Sequence, residues 1–179
     1  MRAGALSGFT VYCAVLAALV AVPAARADEP VAIALMDTVS VKDARDVLAE
    51  AGAKVEKVDY SSDGFTIAAA LEPDRHILFE GMTCKGAGEA MACPEFKIAA
   101  IWRLDTPAHA EALAKKLDYY YTSVAAYGNE LDLWRMDFIS GGVTRQHFRN
   151  TVLEFIDLRQ QAEGVIWPGP AAPASGDPR

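Results

Sequence analysis

The stretch Phe96–Leu104, "FKIAAIWRL", decides the fold class of this chain because its side chains alternate with the period of a sheet strand. One face carries apolar residues throughout: Phe96, Ile98, Ala100, Trp102 and Leu104. The other face mixes polar and apolar residues: Lys97, Ala99, Ile101 and Arg103. Successive side chains of a strand point to opposite faces. The stretch therefore predicts a strand of an antiparallel sheet with one buried and one wetter face.

Three more strands are predicted before this one: "KVEKVDY" (Lys54–Tyr60), "FTIAAAL" (Phe65–Leu71) and "HILFEGM" (His76–Met82). Asp63-Gly64 indicates a hairpin turn between the first two, because glycine accepts a positive φ at low cost. The segment Glu72–Arg75, "EPDR", predicts the next turn. Neighbouring strands joined by such turns indicate antiparallel pairing.

Three helices are predicted. Ser40 caps the first, and Gly52 ends it. The second extends from the Thr106 cap to Gly128, with a stripe formed by Ala110, Leu113, Leu117, Tyr120 and Val124. The third follows the Thr144 cap and carries inward Phe148, Val152, Phe155 and Ile156.

The segment Asn129–Ile139, "NELDLWRMDFI", predicts a fifth strand with an unusual pattern. Leu131 and Leu133 share one face, whereas the other face carries Trp134, Met136 and Phe138. This pattern indicates either a bulge that flips the register or a strand buried on both sides. The order helix, four strands, helix, strand, helix favours the α+β class: an antiparallel sheet of about five strands with three helices packed on it.

The first 27 residues have the pattern of a secretory signal peptide cleaved after Ala27. Arg2 supplies the basic start, Phe9–Val22 is an uninterrupted apolar run, and Ala25 and Ala27 are the small residues that a signal peptidase reads. The apolar run is shorter than the roughly 20 residues that span a bilayer. We therefore expect a periplasmic or secreted protein with no membrane span after cleavage.

The remaining chain is predicted to form one domain over residues 28–168 and a tail over residues 169–179. The tail is rich in proline and glycine and is predicted to be disordered. The whole chain has 17 basic and 24 acidic residues, and removal of Arg2 and Arg26 with the signal makes the balance more acidic. Binding to nucleic acid is therefore disfavoured, because phosphate contacts need clustered Lys and Arg.

Cys84 and Cys93 lie on either side of a Gly/Ala-rich turn in "MTCKGAGEAMACPEF", Met82–Phe96. In an oxidising compartment two such cysteines usually pair, so the first hypothesis is a disulfide that clamps a hairpin. A thiol redox site is a weaker alternative, since redox catalysts favour two residues between their cysteines. A metal site is also weaker, because His76, His109 and His147 form no compact cluster with the cysteines.

The sequence contains no motif of a known catalytic class. Gly86–Gly88 lacks the Lys-Ser/Thr ending of a phosphate loop. Ser140 before two glycines is not a nucleophile elbow. Glu130 and Asp132 share a strand face, as solvated carboxylates commonly do. We therefore predict that the protein is not an enzyme and needs no cofactor. Candidate residues for a binding surface are the aromatic side chains Tyr119, Tyr121, Trp102 and Trp134.

The ordered set of segments resembles the YbjN-like family of bacterial sensory transduction regulators. The segments that carry this resemblance are "LAEAG", the cysteine-flanked "TCKGAGEAMACPEFKIAAIW", "DYYYTSVAAYG", "ELDLWRMDFI" and "GGVTRQHFRNTVLEFI". The resemblance covers about Val39 to Trp167. It implies a fold similar to type III secretion chaperones and a non-enzymatic module that binds a protein, as a complex with a partner or as a homodimer.

The sequence and the resemblance together lead to one functional expectation and two alternatives. We expect an exported binding or regulatory domain that engages a protein partner or a second copy of itself. The first alternative is a small-molecule sensor of the cell envelope, with a pocket between sheet and helices lined by Trp102, Trp134 and the tyrosines. The second alternative is a thiol redox or metal site at Cys84 and Cys93.

Overall fold

A computed structural model describes residues 34–72, 75–117 and 122–168. Within these ranges the helices are α1 (Val41–Glu50), α2 (Pro107–Ala114) and α3 (Arg145–Ile166). The strands are β1 (Leu35–Met36), β2 (Val39–Ser40), β3 (Lys54–Tyr60), β4 (Phe65–Glu72), β5 (Arg75–Met82), β6 (Ala92–Cys93), β7 (Glu95–Arg103), β8 (Ser123–Tyr127), β9 (Glu130–Phe138) and β10 (Val143–Thr144). The predicted signal peptide and tail lie outside the described residues.

The main sheet has six strands in the order β3-β4-β5-β7-β9-β8, and each neighbouring pair is antiparallel. Two short pairs, β1 with β10 and β2 with β6, lie outside it. The α+β class is confirmed. None of the helices in the described part of the chain has the length and apolar character needed to cross a membrane.

Strand β7 lies inside the sheet and shows the alternation that the sequence predicts. Phe96, Ile98, Ala100 and Trp102 are all buried, while Ile101 and Arg103 are exposed. The buried side meets the helices: Phe148 of α3 packs edge-on against Phe96, at 5.2 Å between ring centroids. The face of the sheet that carries these buried residues is called the inner face below.

Strand β9 pairs with β7 without any shift, from Glu95 opposite Phe138 to Arg103 opposite Glu130. The expected bulge is therefore absent from this pair. Leu131 and Leu133 point into the core. Beyond them the inner face continues with Arg135, which forms ion pairs with Asp137 at 3.3 Å and with Glu154 of α3 at 3.2 Å.

The second helix is shorter than the sequence pattern predicts. It ends at Ala114 with Lys115 as its C-cap, and Ser123–Tyr127 is the edge strand β8. The prediction of helix through Gly128 was wrong because spacing alone cannot separate a short apolar run in a helix from one in a strand. Hydrogen bonding to β9 makes Ser123–Tyr127 a strand. Tyr127 lies opposite Glu130 across the turn Gly128-Asn129, and Gly128 has φ +61°. Glycine with positive φ at the first turn position suits a two-residue hairpin.

Helix α1 begins as predicted. The Ser40 hydroxyl accepts a hydrogen bond from the Asp43 backbone N–H, and the Asp43 carboxylate accepts one from the Ser40 backbone, which completes a capping box. Ion pairs join α1 to α3: Arg145 contacts Asp43 at 2.8 Å, and Arg149 contacts Glu50 at 2.6 Å. These ion pairs link the two helices to each other, and the shared core cluster packs both helices against the inner face of the sheet.

Candidate functional site

The face of the sheet opposite the helices, called the outer face, is a candidate interaction surface. It is built from the alternate residues of β5, β7 and β9. Its apolar members are Leu78, Met82, Ala99, Ile101, Trp134, Met136 and Phe138. Three of them are open to solvent: Ile101 is 46% exposed, Met136 47% and Phe138 62%. An exposed group of large apolar side chains on one rigid sheet is typical of an interaction site.

The outer face is open because the described helices all bury their apolar sides elsewhere. Ala110 of α2, Val47 of α1 and Phe155 of α3 belong to the same core cluster as Ile98 on the inner face. Within the described ranges, no helix contributes a buried residue to the outer side. The apolar pattern of β9 therefore does not indicate burial on both sides, since Met136 and Phe138 face solvent there.

Charged residues are interspersed with the apolar residues of this face. Lys97 forms an ion pair with Glu80 at 3.1 Å across β5 and β7, and Arg103 contacts Glu130 at 2.6 Å at the rim. Asp132 lies between these pairs, and its Oδ1 is buried without a hydrogen-bond partner among the described residues. Burial raises the pKa of Asp132 above its ordinary value, and the charge of Glu130 adds to this effect while Lys97 opposes it.

A depression of about 500 Å³ lies at the end of the outer face, beside the β3–β4 hairpin. Its lining includes Thr66, Glu80, Met82, Thr83, Glu95 and Met136. Thr83 has φ +55°, a conformation that residues other than glycine rarely adopt. Its hydroxyl donates a hydrogen bond to the Glu95 carboxylate. Thr83 directly precedes Cys84, so the depression and the disulfide loop are adjacent along the chain.

The predicted disulfide between Cys84 and Cys93 is present, with a Cα–Cα distance of 4.0 Å. Cys93 is fully buried, and its strand β6 pairs with β2 through Val39. The bond therefore joins the end of β5 to β6, and β6 pairs with β2, the strand that directly precedes α1. No group of three potential metal ligands occurs among the residues that the structure describes.

The structure separates the residues predicted for a binding surface. Trp102 is buried on the inner face, where its indole Nε1 donates to Glu163 Oε1 at 3.4 Å. Trp134 is half-buried on the outer face, opposite Ala99. The two tryptophans therefore cannot line one pocket. Tyr119 and Tyr121 lie outside the described residues.

The sequence did not predict three outer-face residues, Ile101, Met136 and Phe138, as part of a binding surface. A signal for them existed, since Ile101 falls on the wetter side of β7. Met136 and Phe138 fall on the side of β9 away from Leu131 and Leu133. Strand pairing places Ile101 opposite Asp132, whereas Met136 and Phe138 lie opposite Lys97 and Glu95, so Trp134 stands between Ile101 and these two residues on the outer face.

Comparison with known proteins does not assign a function to this chain. No known family profile and no curated protein matches the sequence. A solved structure, that of an uncharacterized protein from Methanothermobacter thermautotrophicus, matches the chain with a TM-score of 0.48 and 13% sequence identity. The match covers 72% of this chain and 96% of that one.

Proposed function

We propose that this chain is a non-enzymatic binding domain that engages a protein, either a partner or a second copy of itself, through the outer face of its main sheet. The observation that carries the proposal is the exposure of Ile101, Met136 and Phe138 beside the half-buried Trp134. Large apolar and aromatic side chains on a rigid sheet are efficient anchors, since little conformational entropy is lost when they are covered. The ion pairs Lys97–Glu80 and Arg103–Glu130 would add polar contacts around these anchors.

The expected contribution of each anchor is large compared with that of the surrounding contacts. Truncation of a central interface anchor typically costs about 2 kcal/mol or more. Removal of one anchor would then weaken binding about 30-fold, and removal of two would abolish capture at micromolar concentrations. The stability of the free domain would change little, because surface substitutions usually alter it by about 0.5 kcal/mol or less.

The test compares two double variants, each of which replaces two exposed apolar side chains, one on the outer face and one elsewhere on the surface. Met136→Ser/Phe138→Ser alters the outer face, and Leu35→Ser/Val165→Ser removes exposed apolar side chains elsewhere. Each protein is immobilised, envelope extract of the producing cell is applied, and captured proteins are quantified. Sedimentation velocity of each protein measures self-association.

We expect only the Met136→Ser/Phe138→Ser variant to lose its partner or its dimer. The melting temperatures of both variants should stay close to that of the wild type. Equal capture by both variants would contradict the proposal. A wild-type protein that stays monomeric and captures nothing would contradict it as well.

We further propose that the domain is exported and belongs to the YbjN-like family. The disulfide between Cys84 and Cys93 supports export, because such bonds persist in oxidising compartments. An antiparallel sheet with helices against one face is compatible with the family resemblance. The intact mass of protein recovered from periplasm or medium tests export: we expect an N-terminus at Asp28 and no free thiol. A retained leader or two alkylated cysteines would refute it.

A further inference from the structure

A second depression, of about 200 Å³, opens between the sheet and the helices, on the side opposite the outer face. It lies where β4 ends and β5 begins, beside the end of α1 and the second half of α3. Its apolar lining is Ala51, Leu71 and Ile156, and its polar lining includes Arg75, Arg159 and Gln160. The depression therefore combines an aliphatic wall with two guanidinium groups and the carboxylate of Glu72.

Arg159 is the buried polar residue of this depression, with 3% of its surface exposed. Its guanidinium lies over the Trp102 ring, 5.9 Å from the ring centroid, and forms an ion pair with Glu163 at 2.8 Å. Its Nε and the Oε2 of Glu163 are both buried without a hydrogen-bond partner among the described residues. A buried donor without an acceptor is unfavourable, so the Arg159 side chain would be stabilised by a shift that brings its guanidinium to an oxygen atom of a bound molecule.

Arg75 is the accessible polar residue, since its side chain is 42% exposed. It contacts the exposed Glu72 at 3.0 Å and Glu163 Oε2 at 3.3 Å. Exposed ion pairs such as Arg75–Glu72 are weak and exchange readily with another anion. Loss of hydration lowers the pKa of Arg159, and the positive charge of Arg75 adds to this effect against the opposing influence of Glu163 and Glu72. The site therefore holds a desolvated cation beside a solvent-accessible one.

We propose that this depression binds a small organic carboxylate, whose oxygens contact the guanidinium groups of Arg159 and Arg75 and whose aliphatic part packs on Leu71 and Ile156. The planar fork of a guanidinium matches the two oxygens of a carboxylate. A phosphate dianion fits less well, because Glu72 and Glu163 already place two negative charges beside the site. A water molecule occupies about 30 Å³, so the volume suits a ligand of about six to eight non-hydrogen atoms.

The test uses sodium butyrate as probe and the indole N–H signals of the protein as reporters. The Trp102 indole donates to Glu163, the partner of Arg159, so butyrate should shift its signal in a saturable manner. Trp134 lies on the outer face and should not respond. The chain has a third tryptophan, Trp167, so Trp134→Phe and Trp167→Phe together assign the two other indole signals and leave that of Trp102. Butan-1-ol, which lacks the charge, and inorganic phosphate are titrated in parallel and should bind at least about tenfold more weakly.

Two variants and a matched control locate the site. Arg75→Gln removes the accessible cation, and Arg159→Met replaces the buried one by a shorter, unbranched apolar side chain. Both should weaken butyrate binding about tenfold or more. Arg103→Gln makes the same change as Arg75→Gln on the rim of the outer face and should bind butyrate as wild type does.

Several outcomes would overturn the proposal. These are an unsaturable response, equal binding of butan-1-ol or phosphate, and an unchanged affinity of the Arg75→Gln protein. The last result remains decisive even if Arg159→Met does not fold.

Discussion

Reduction of the Cys84–Cys93 disulfide should destabilise the domain by an amount that the size of its loop sets. The two cysteines are separated by 9 positions, so the bond closes a loop of about ten residues. The loss of unfolded-chain entropy for such a loop corresponds to about 2.6 kcal/mol at 25 °C. That is a large share of the about 5–15 kcal/mol by which domains are typically stable.

The packing around the bond favours a clean measurement. Cys93 is fully buried and Cys84 is partly buried against the core, so we expect little change in packing when the bond is reduced. The difference between the reduced and oxidised wild type therefore reports mainly the cross-link. For a domain of this size, about 2.6 kcal/mol corresponds to a fall in Tm of about 8 °C.

The assay is urea unfolding followed by circular dichroism, with and without a phosphine reductant. We expect a lower free energy of unfolding after reduction and a larger m-value, since the open chain exposes more surface when it unfolds. The Cys84→Ala/Cys93→Ala protein serves as control and should not respond to the reductant. A change of less than about 0.5 kcal/mol on reduction would refute the loop-entropy reasoning.

Three further predictions rest on single positions. A Cβ at Gly81 would lie 2.4 Å from a ring atom of Phe65, so Gly81→Ala should cost about 1–3 kcal/mol in urea unfolding, and an unchanged midpoint would contradict this packing. Ser40→Ala removes the α1 cap and should cost about 1 kcal/mol in the same assay, whereas a cost near zero would show that the capping box is not formed in solution. The pKa of Asp132 is raised in the folded state, so the folded protein binds the proton more tightly and loses stability as pH rises from the ordinary Asp value to the raised one. Asp132→Asn should therefore raise Tm at pH 7 and lose this gain below about pH 4. The control variant, Asp105→Asn, replaces an exposed aspartate and should not raise Tm. A gain in Tm for Asp132→Asn that does not depend on pH would contradict the raised pKa of Asp132.

The sequence by itself determined the elements whose causes are local. The Ser40 cap with Asp43, the turn at Asp63-Gly64 and the alternation through Phe96–Leu104 each depend on neighbours a few positions away. The structure reproduces them at or close to the predicted boundaries. The reason given for Gly64 was wrong, however: it lacks a positive φ, and glycine is needed there because a Cβ would lie 2.6 Å from the carbonyl oxygen of Gly81. The pairing of Cys84 with Cys93 also followed, because a hairpin brings nearby cysteines together.

Only the tertiary structure decided what depends on distant partners. Ser123–Tyr127 fits a helical stripe by spacing, yet it is a strand because β9 offers it a hydrogen-bonding ladder. Trp102 and Trp134 occupy adjacent strands, and the pairing register places them on opposite faces. Arg75 and Arg159 meet at one depression although they are far apart along the chain. Spacing in the sequence reports how one segment presents its side chains, whereas strand pairing and helix packing determine which segments face each other.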